Sequence, residues 1–418
     1  MNRTSGALGF SRRAADIWAR ERGLPAIPAY LGQVATRSYI PNNISTGLRS
    51  GNGQTFHVAR EDITSIQVAY ANWFHSSAVH EAGSGGTLTV TASIQYPIAD
   101  NPGSGEWQAF TWSGDEGTGI IPDGATSPLS DALPLAVPIP RGAAFLLRWH
   151  AEASAQIPFW QFGSSNSAAL NQIAEASTTP AAFSDKTPGG TINAGTSANN
   201  LYPVLIVGET TRPSCYIFGD SRVHGIGDSF DATGHTGEVA RSLGERYAYL
   251  NLGCPSETLS GWLAGSTRRR ALLPFFSHVI GNMSINDVAQ GRTSPQLAAD
   301  IAAAAALVGA DGRKVLWATM CPSSTGPWNA TSSQGVSTSN AQRTAVNDKL
   351  RARQIAGIDG VLDIASAIET DLNSGLWAVD HDGSGGVAMT SDGLHANYAG
   401  YQRIKRSGAV SPDIVAIV

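Results

Sequence analysis

At 418 residues the chain is too long for one ordinary core, and two domains of roughly 200 residues each are the natural expectation. With 42% hydrophobic and 15% charged residues, 46 glycines and 21 prolines, the composition excludes a disordered chain and describes a turn-rich globular one. A net charge of -5 without a long basic run argues against nucleic acid as a partner, because phosphate backbones are met by clustered Lys and Arg. The one basic cluster, Arg268-Arg269-Arg270, reads as a solvated face or helix end.

Taken in order, residues 1–25 mix arginines with single apolar residues and lack the apolar centre of a secretory signal, so no export tag is expected there. Action outside a cell or on a virion stays open, through another route of release or a signal already removed. Residues 11–22 have good helix formers ended by Gly23 and Pro25, which predicts a helical arm over 1–29 that docks on the body or joins subunits of a homo-oligomer. No apolar run approaches the roughly 20 residues that span a bilayer, so no membrane segment is expected.

From 30 to 210 the apolar residues recur with period two, as in Thr87-Leu88-Thr89-Val90-Thr91-Ala92-Ser93-Ile94, and Gly-rich spacers separate the runs. This pattern predicts an all-β sandwich of jelly-roll type serving as an accessory domain. Trp73, Trp107, Trp112, Trp149 and Trp160 are expected to fill its core, the alternative being an exposed face that stacks on sugar rings. Residues 184–200 read as a surface loop, 201–207 as the last strand, and 209–213 as the boundary.

Beyond it, over 211–418, short apolar runs alternate with helical segments, the pattern of an α/β domain with a parallel sheet covered on both faces. Five strands are expected at 216–218, 248–252, 278–283, 314–320 and 360–364, and helices at 238–246, 295–308 and 339–356. Cys215, Cys254 and Cys321 are too few and scattered for a disulfide framework or a metal site and read as buried thiols, so no cofactor or metal is expected.

The chemistry is carried by the ends of these strands. The run Cys215-Tyr216-Ile217-Phe218 stops at Gly219-Asp220-Ser221, a strand turning into a helix that leaves the Ser221 hydroxyl at the strand's carboxyl end, where open α/β sheets place their ligand crevice. A serine hydroxyl needs a base, an orienting carboxylate and oxyanion donors. The second strand ends in Gly253, whose N–H can approach a ligand closely, and the third in Ser284-Ile285-Asn286-Asp287, which offers a side-chain amide. Near the C-terminus Asp392 precedes His395 by three residues, a spacing that lets the carboxylate hold the imidazole from behind.

Gly219-Asp220-Ser221, Gly253, Asn286 and Asp392-x-x-His395, in that order, resemble the four blocks of the SGNH (GDSL-like) hydrolase superfamily. The resemblance covers the last half of the chain and implies a three-layer α/β fold and metal-independent ester hydrolysis. By it, Ser221 is the nucleophile, His395 the base and Asp392 its orienter, with the Ser221 and Gly253 N–H groups and the Asn286 amide as the oxyanion hole. One position departs: Ser284 stands where the third block usually has glycine.

Other features are weaker. His224 has no carboxylate evidently behind it, and His278 starts a strand. Asp380-His381-Asp382-Gly383-Ser384-Gly385 begins like a calcium loop but lacks the glutamate at position twelve, so a loop beside the site is the preferred reading. The long segment 322–340 suggests a substrate wall, with Trp328 lining an acyl or sugar subsite. The function expected is removal of O-acetyl groups from a carbohydrate, against two alternatives: a general short-chain esterase or lipase, and a glycan-binding, phage-tail-like adhesion protein whose hydrolase half is secondary or inactive.

Overall fold

The computed structural model describes residues 28–44, 47–98, 106–161, 170–193, 199–230, 232–381, 386–411, 413 and 415. The expected N-terminal helix, and positions 382–385 of the loop around His381, lie outside the described residues. Among the described residues no helix is long and apolar enough to cross a membrane.

The C-terminal half is a parallel sheet with helices on both faces. Its strands are β1 (Ser38–Tyr39), β2 (Ser214–Gly219), β3 (Ala248–Gly253), β4 (His278–Asn282), β5 (Lys314–Ala318) and β6 (Gly360–Leu362), in spatial order β1-β3-β2-β4-β5-β6. Along β2 the side chains alternate between two cores, Tyr216 and Phe218 into one, Cys215 and Ile217 into the other, so the strand reads as an unbroken apolar run. In register, Gly219 stands opposite both Gly253 and Asn282, which brings the carboxyl ends of β2, β3 and β4 to one edge.

The helices are α1 (Ser221–His224), α2 (Ala240–Leu243), α3 (Leu259–Gly265), α4 (Thr267–Arg270), α5 (Ile285–Ala289), α6 (Ser294–Val308), α7 (Asn340–Arg351), α8 (Ile364–Ile368) and α9 (Tyr398–Ser407). α6 starts where Thr293 and Gln296 form a capping box with Pro295 in the first turn, and it lays Leu297, Ile301 and Val308 on the sheet. Phe218 stacks on Trp262 of α3 at 4.4 Å and meets Trp317 edge-on at 5.5 Å, contacts worth about 0.5–1.5 kcal/mol each beyond the area they bury.

The N-terminal half is mostly antiparallel. One sheet runs Tyr30–Gln33, Leu205–Thr210, Ile63–Ala69, Leu133–Ile139; the other runs Gly119–Ile121, Leu88–Gln95, Ala144–Ala153, Ser50–Val58, Ile173–Ser177. Ile66 and Val68 from the first share a core with Val90, Leu147 and Trp149 from the second. Trp73, Trp112, Trp149 and Trp160 are buried, and Trp107 lies under the Arg148 guanidinium at 4.3 Å, so none of the five forms an open stacking platform.

Several boundaries differ from expectation, each for a local reason. The sheet has a sixth strand, β1, contributed by the β-rich half; two residues, Ser-Tyr, carry no apolar run to announce it. The last antiparallel strand begins at Leu205 rather than at 201, because Pro203 has no N–H to give a ladder. The helix expected over 238–246 is only the single turn α2, which stops at Gly244. The two halves also share a core: Ala69, Trp73 and Leu205 pack in the same cluster as Phe218 and Trp262.

Candidate active site

Gly219 ends β2 because nothing larger fits: a Cβ there would lie 2.2 Å from the Asn282 carbonyl oxygen and 2.3 Å from Val223 Cγ2. Asp220 then caps α1, its carboxylate accepting the Arg222 N–H at 3.0 Å, and Ser221 takes the first helical position. Its own N–H is one of the donors that a helix start leaves without an intrahelical partner. Burial pushes the Asp220 carboxyl up to about 7, against the pull of Arg222 and with a further push from Glu238 and Asp287.

The Ser221 hydroxyl lies 2.8 Å from His395 Nε2, and His395 Nδ1 lies 2.7 Å from Asp392 Oδ2. The second carboxylate oxygen, Oδ1, accepts the backbone N–H groups of Leu394 and His395, each at 2.8 Å, so the loop closes on the same carboxylate that meets the imidazole. Thr390 pins the same loop, accepting the Gly393 N–H at 2.9 Å and donating to the His395 carbonyl at 2.6 Å. Partial burial pushes the Asp392 carboxyl up, but the His395 side chain and these N–H donors outweigh it and hold it below the usual carboxylate range. The ring nitrogen that faces Ser221 is Nε2, on the opposite side of the imidazole from Asp392.

Asn286 donates from Nδ2 to the Glu257 carbonyl at 2.9 Å, which fixes the amide and leaves its second N–H for another acceptor. Asp287 accepts the Leu259 and Ser260 N–H groups at 2.7 and 3.2 Å, so the Asn-Asp pair grips the start of α3. Ser284, at the departing position, takes φ 109, a left-handed conformation that favours glycine.

Gly253 requires a correction. Its N–H donates to Asn251 Oδ1 at 2.9 Å and is not a free oxyanion donor. Glycine is needed here for space, since a Cβ would lie 2.1 Å from the His224 nitrogen. The next feature on this loop is a turn closed by the Glu257 N–H on the Cys254 carbonyl at 3.1 Å, with Pro255 at its second position and Ser256 at φ 65.

Trp328 stands behind the Asp392–His395 loop: a Cβ on Gly393 would lie 2.8 Å from its Cζ2, and its indole N–H donates to Ser324 at 3.2 Å. Its visible role is to back the loop. His224 is buried against Trp160, with ring centroids 5.7 Å apart, and burial lowers it to about 4. His278 does start β4. All three cysteines are free and buried. Among the described residues no group of three or more His, Cys, Asp or Glu is arranged to hold a metal ion.

Arg222 escaped the sequence reading. Fully buried beside Ser221, it donates to the carbonyls of Cys321 at 3.1 Å, Pro322 at 2.9 Å and Leu394 at 2.9 and 3.1 Å, tying α1 to the loop that carries His395. Its acceptors are backbone oxygens, which no side-chain pattern encodes.

Residues 217–403 match the model of the GDSL-like Lipase/Acylhydrolase family. The C-terminal half is a GDSL-like domain. Solved structures similar to that domain include a GDSL-like lipase from Bacteroides thetaiotaomicron (16% identity, 48% of this chain and 89% of that one, TM-score 0.34). Others are a member of the lipolytic G-D-S-L family from Veillonella parvula (15%, 47% and 95%, TM-score 0.32) and the lipase/acylhydrolase from Enterococcus faecalis (15%, 47% and 96%, TM-score 0.31). No curated protein matches the chain. Within the GDSL-like domain the matched span begins in β2 and ends in α9, and it therefore holds Ser221, Asn286, Asp392 and His395.

Proposed function

We propose that the protein is a serine esterase that removes O-acetyl groups from a carbohydrate or polysaccharide, with Ser221, His395 and Asp392 as its catalytic triad. The observation that carries this reading is the unbroken path from hydroxyl to imidazole to carboxylate, 2.8 and then 2.7 Å long. Ser221 Oγ attacks the acyl carbon while His395 Nε2 takes its proton, and Asp392 stabilises the imidazolium that forms. The negative charge gathering on the carbonyl oxygen is met by the Ser221 N–H and the second N–H of Asn286. Collapse breaks the bond to the alkoxy oxygen, which leaves with the proton from His395. Water, deprotonated by the same imidazole, then attacks the acyl-serine and releases acetate and the free hydroxyl of Ser221.

The choice of a small acyl group on a large polar alcohol rests on exposure. The Asp392 side chain is 50% exposed while His395 is 14% exposed and Ser221 nearly buried, which supports a triad lying close under the protein surface. A lipase for long chains needs instead an extended apolar channel beside its nucleophile. Acetate release from acetylated xylan, pectin and peptidoglycan fragments, alongside p-nitrophenyl esters of two to twelve carbons, tests this. The expected result is release from one of the polymers and a steep fall in turnover beyond four carbons; turnover that rises with chain length would make the protein a lipase.

A further inference from the structure

The hairpin of strands Trp73–Ser76 and His80–Gly83 leaves the antiparallel half and reaches the helices beside the active site. α3 receives it with two glycines one turn apart: a Cβ on Gly261 would lie 2.6 Å from His80 Cε1, and one on Gly265 2.3 Å from His80 Cβ. Glu81 then caps α4 from the other domain. Its carboxylate accepts the Arg268 N–H at 2.6 Å and the Arg269 N–H at 2.9 Å, a service that Ser266, at the N-cap, does not perform with its side chain.

The same carboxylate accepts Arg269 Nε at 3.0 Å, and the two remaining nitrogens of that guanidinium make a bidentate pair with Glu257 at 2.6 and 2.8 Å. Arg269 and Glu257 have fully buried side chains and Glu81 nearly so, at 0%, 0% and 4% exposure. The middle arginine of the basic cluster is therefore no solvated residue. Glu257 matters beyond this pair, because its backbone carbonyl is the acceptor that orients the Asn286 amide.

We infer that Glu81 is a positioning residue for ester hydrolysis, acting through Arg269 and Glu257 to aim Asn286, so that the antiparallel half completes the oxyanion site. The inference rests on Asn286 being an oxyanion donor. A planar Arg fork between two carboxylates fixes both partners in angle as well as distance. Turning the Glu257 peptide strains both that fork and the turn its N–H closes on the Cys254 carbonyl at 3.1 Å, and the Asn286 amide follows the peptide. Two neighbouring features carry the same message: the glycine seats for His80 locate the hairpin on α3, and the Asp287 carboxylate locks α3 to the residue after Asn286.

The test is a double-mutant cycle on the full chain with p-nitrophenyl acetate, combining Glu81→Gln and Asn286→Ala. Glu81→Gln keeps the shape of the side chain and removes its charge; it is expected to lower kcat about tenfold with KM unchanged, since small misplacements remote from the reacting atoms have effects of this order. In the Asn286→Ala background the same change should alter kcat less than twofold. A general loosening of the fold would instead act equally in both backgrounds, and that additivity overturns the inference, as does an unchanged kcat. Glu257→Gln, which keeps the backbone carbonyl and weakens the carboxylate's hold on Arg269 and on His80, 3.5 Å away, should reproduce the kcat loss and serves where Glu81→Gln does not fold. If Asn286→Ala alone leaves kcat at the wild-type value, the oxyanion assignment itself fails and the relay with it; the other outcomes bear on the relay only.

Discussion

Ser221→Ala is expected to lower kcat on p-nitrophenyl acetate by about 10⁶, His395→Ala by a comparable factor, and the double variant no further than either alone. The non-additivity follows from geometry. The hydroxyl is a poor nucleophile until the imidazole 2.8 Å away accepts its proton, so deleting either member removes the same step. The Ser221 side chain is small and nearly buried, and alanine leaves α1, its Asp220 cap and the Arg222 contacts in place. Stability should therefore stay within about 1 kcal/mol of wild type. Stopped-flow and steady-state rates, measured beside thermal unfolding, separate the chemical loss from a folding defect. A double variant that falls by the product of the single losses would mean that the two residues act in different steps.

The second large effect is Asn286→Ala, with an expected fall of about 10²–10³ in kcat and little change in KM. The amide meets charge that exists only as the carbonyl oxygen becomes an oxyanion, and its deletion is therefore felt in the transition state more than in substrate binding. The change also removes one hydrogen bond to the Glu257 carbonyl. That loss costs stability by about 1 kcal/mol and leaves the triad distances untouched. With the Gly253 N–H already committed to Asn251, fewer donors share the load, which argues for the upper end of the range. A KM that rises while kcat holds would assign Asn286 to substrate binding.

How much of this was legible in the sequence depended on whether the signal was local. The parallel strands announce themselves because both faces are buried and the side chains are apolar in succession, as in Tyr216-Ile217-Phe218. The Asp392–His395 turn is equally local: its carboxylate takes two N–H groups within three residues and still reaches the imidazole. Features settled by tertiary contacts were not legible. The edge strand β1 has only two residues and pairs with a strand more than two hundred positions away. Arg269 resembles its neighbours Arg268 and Arg270 in sequence, yet it is buried because Glu81 and Glu257 converge on it from two parts of the chain. Gly253 misled for a subtler reason, since a glycine at a strand end serves close packing as readily as ligand approach, and here His224 of α1 takes the space. The contacts of Trp328 with Gly393 and Ser324 were likewise hidden, because its place in a long loop does not reveal which segment it packs on.

The most direct test of the central claim, that the Ser221 hydroxyl is a nucleophile activated by His395, is covalent labelling with a fluorophosphonate followed by intact mass and peptide mapping. The expected result is a single adduct on Ser221 in the wild-type chain, none in Ser221→Ala, and labelling slowed by several orders of magnitude in His395→Ala. A folded wild-type chain that takes up no label, or a Ser221→Ala variant labelled as fast as wild type, would contradict the account.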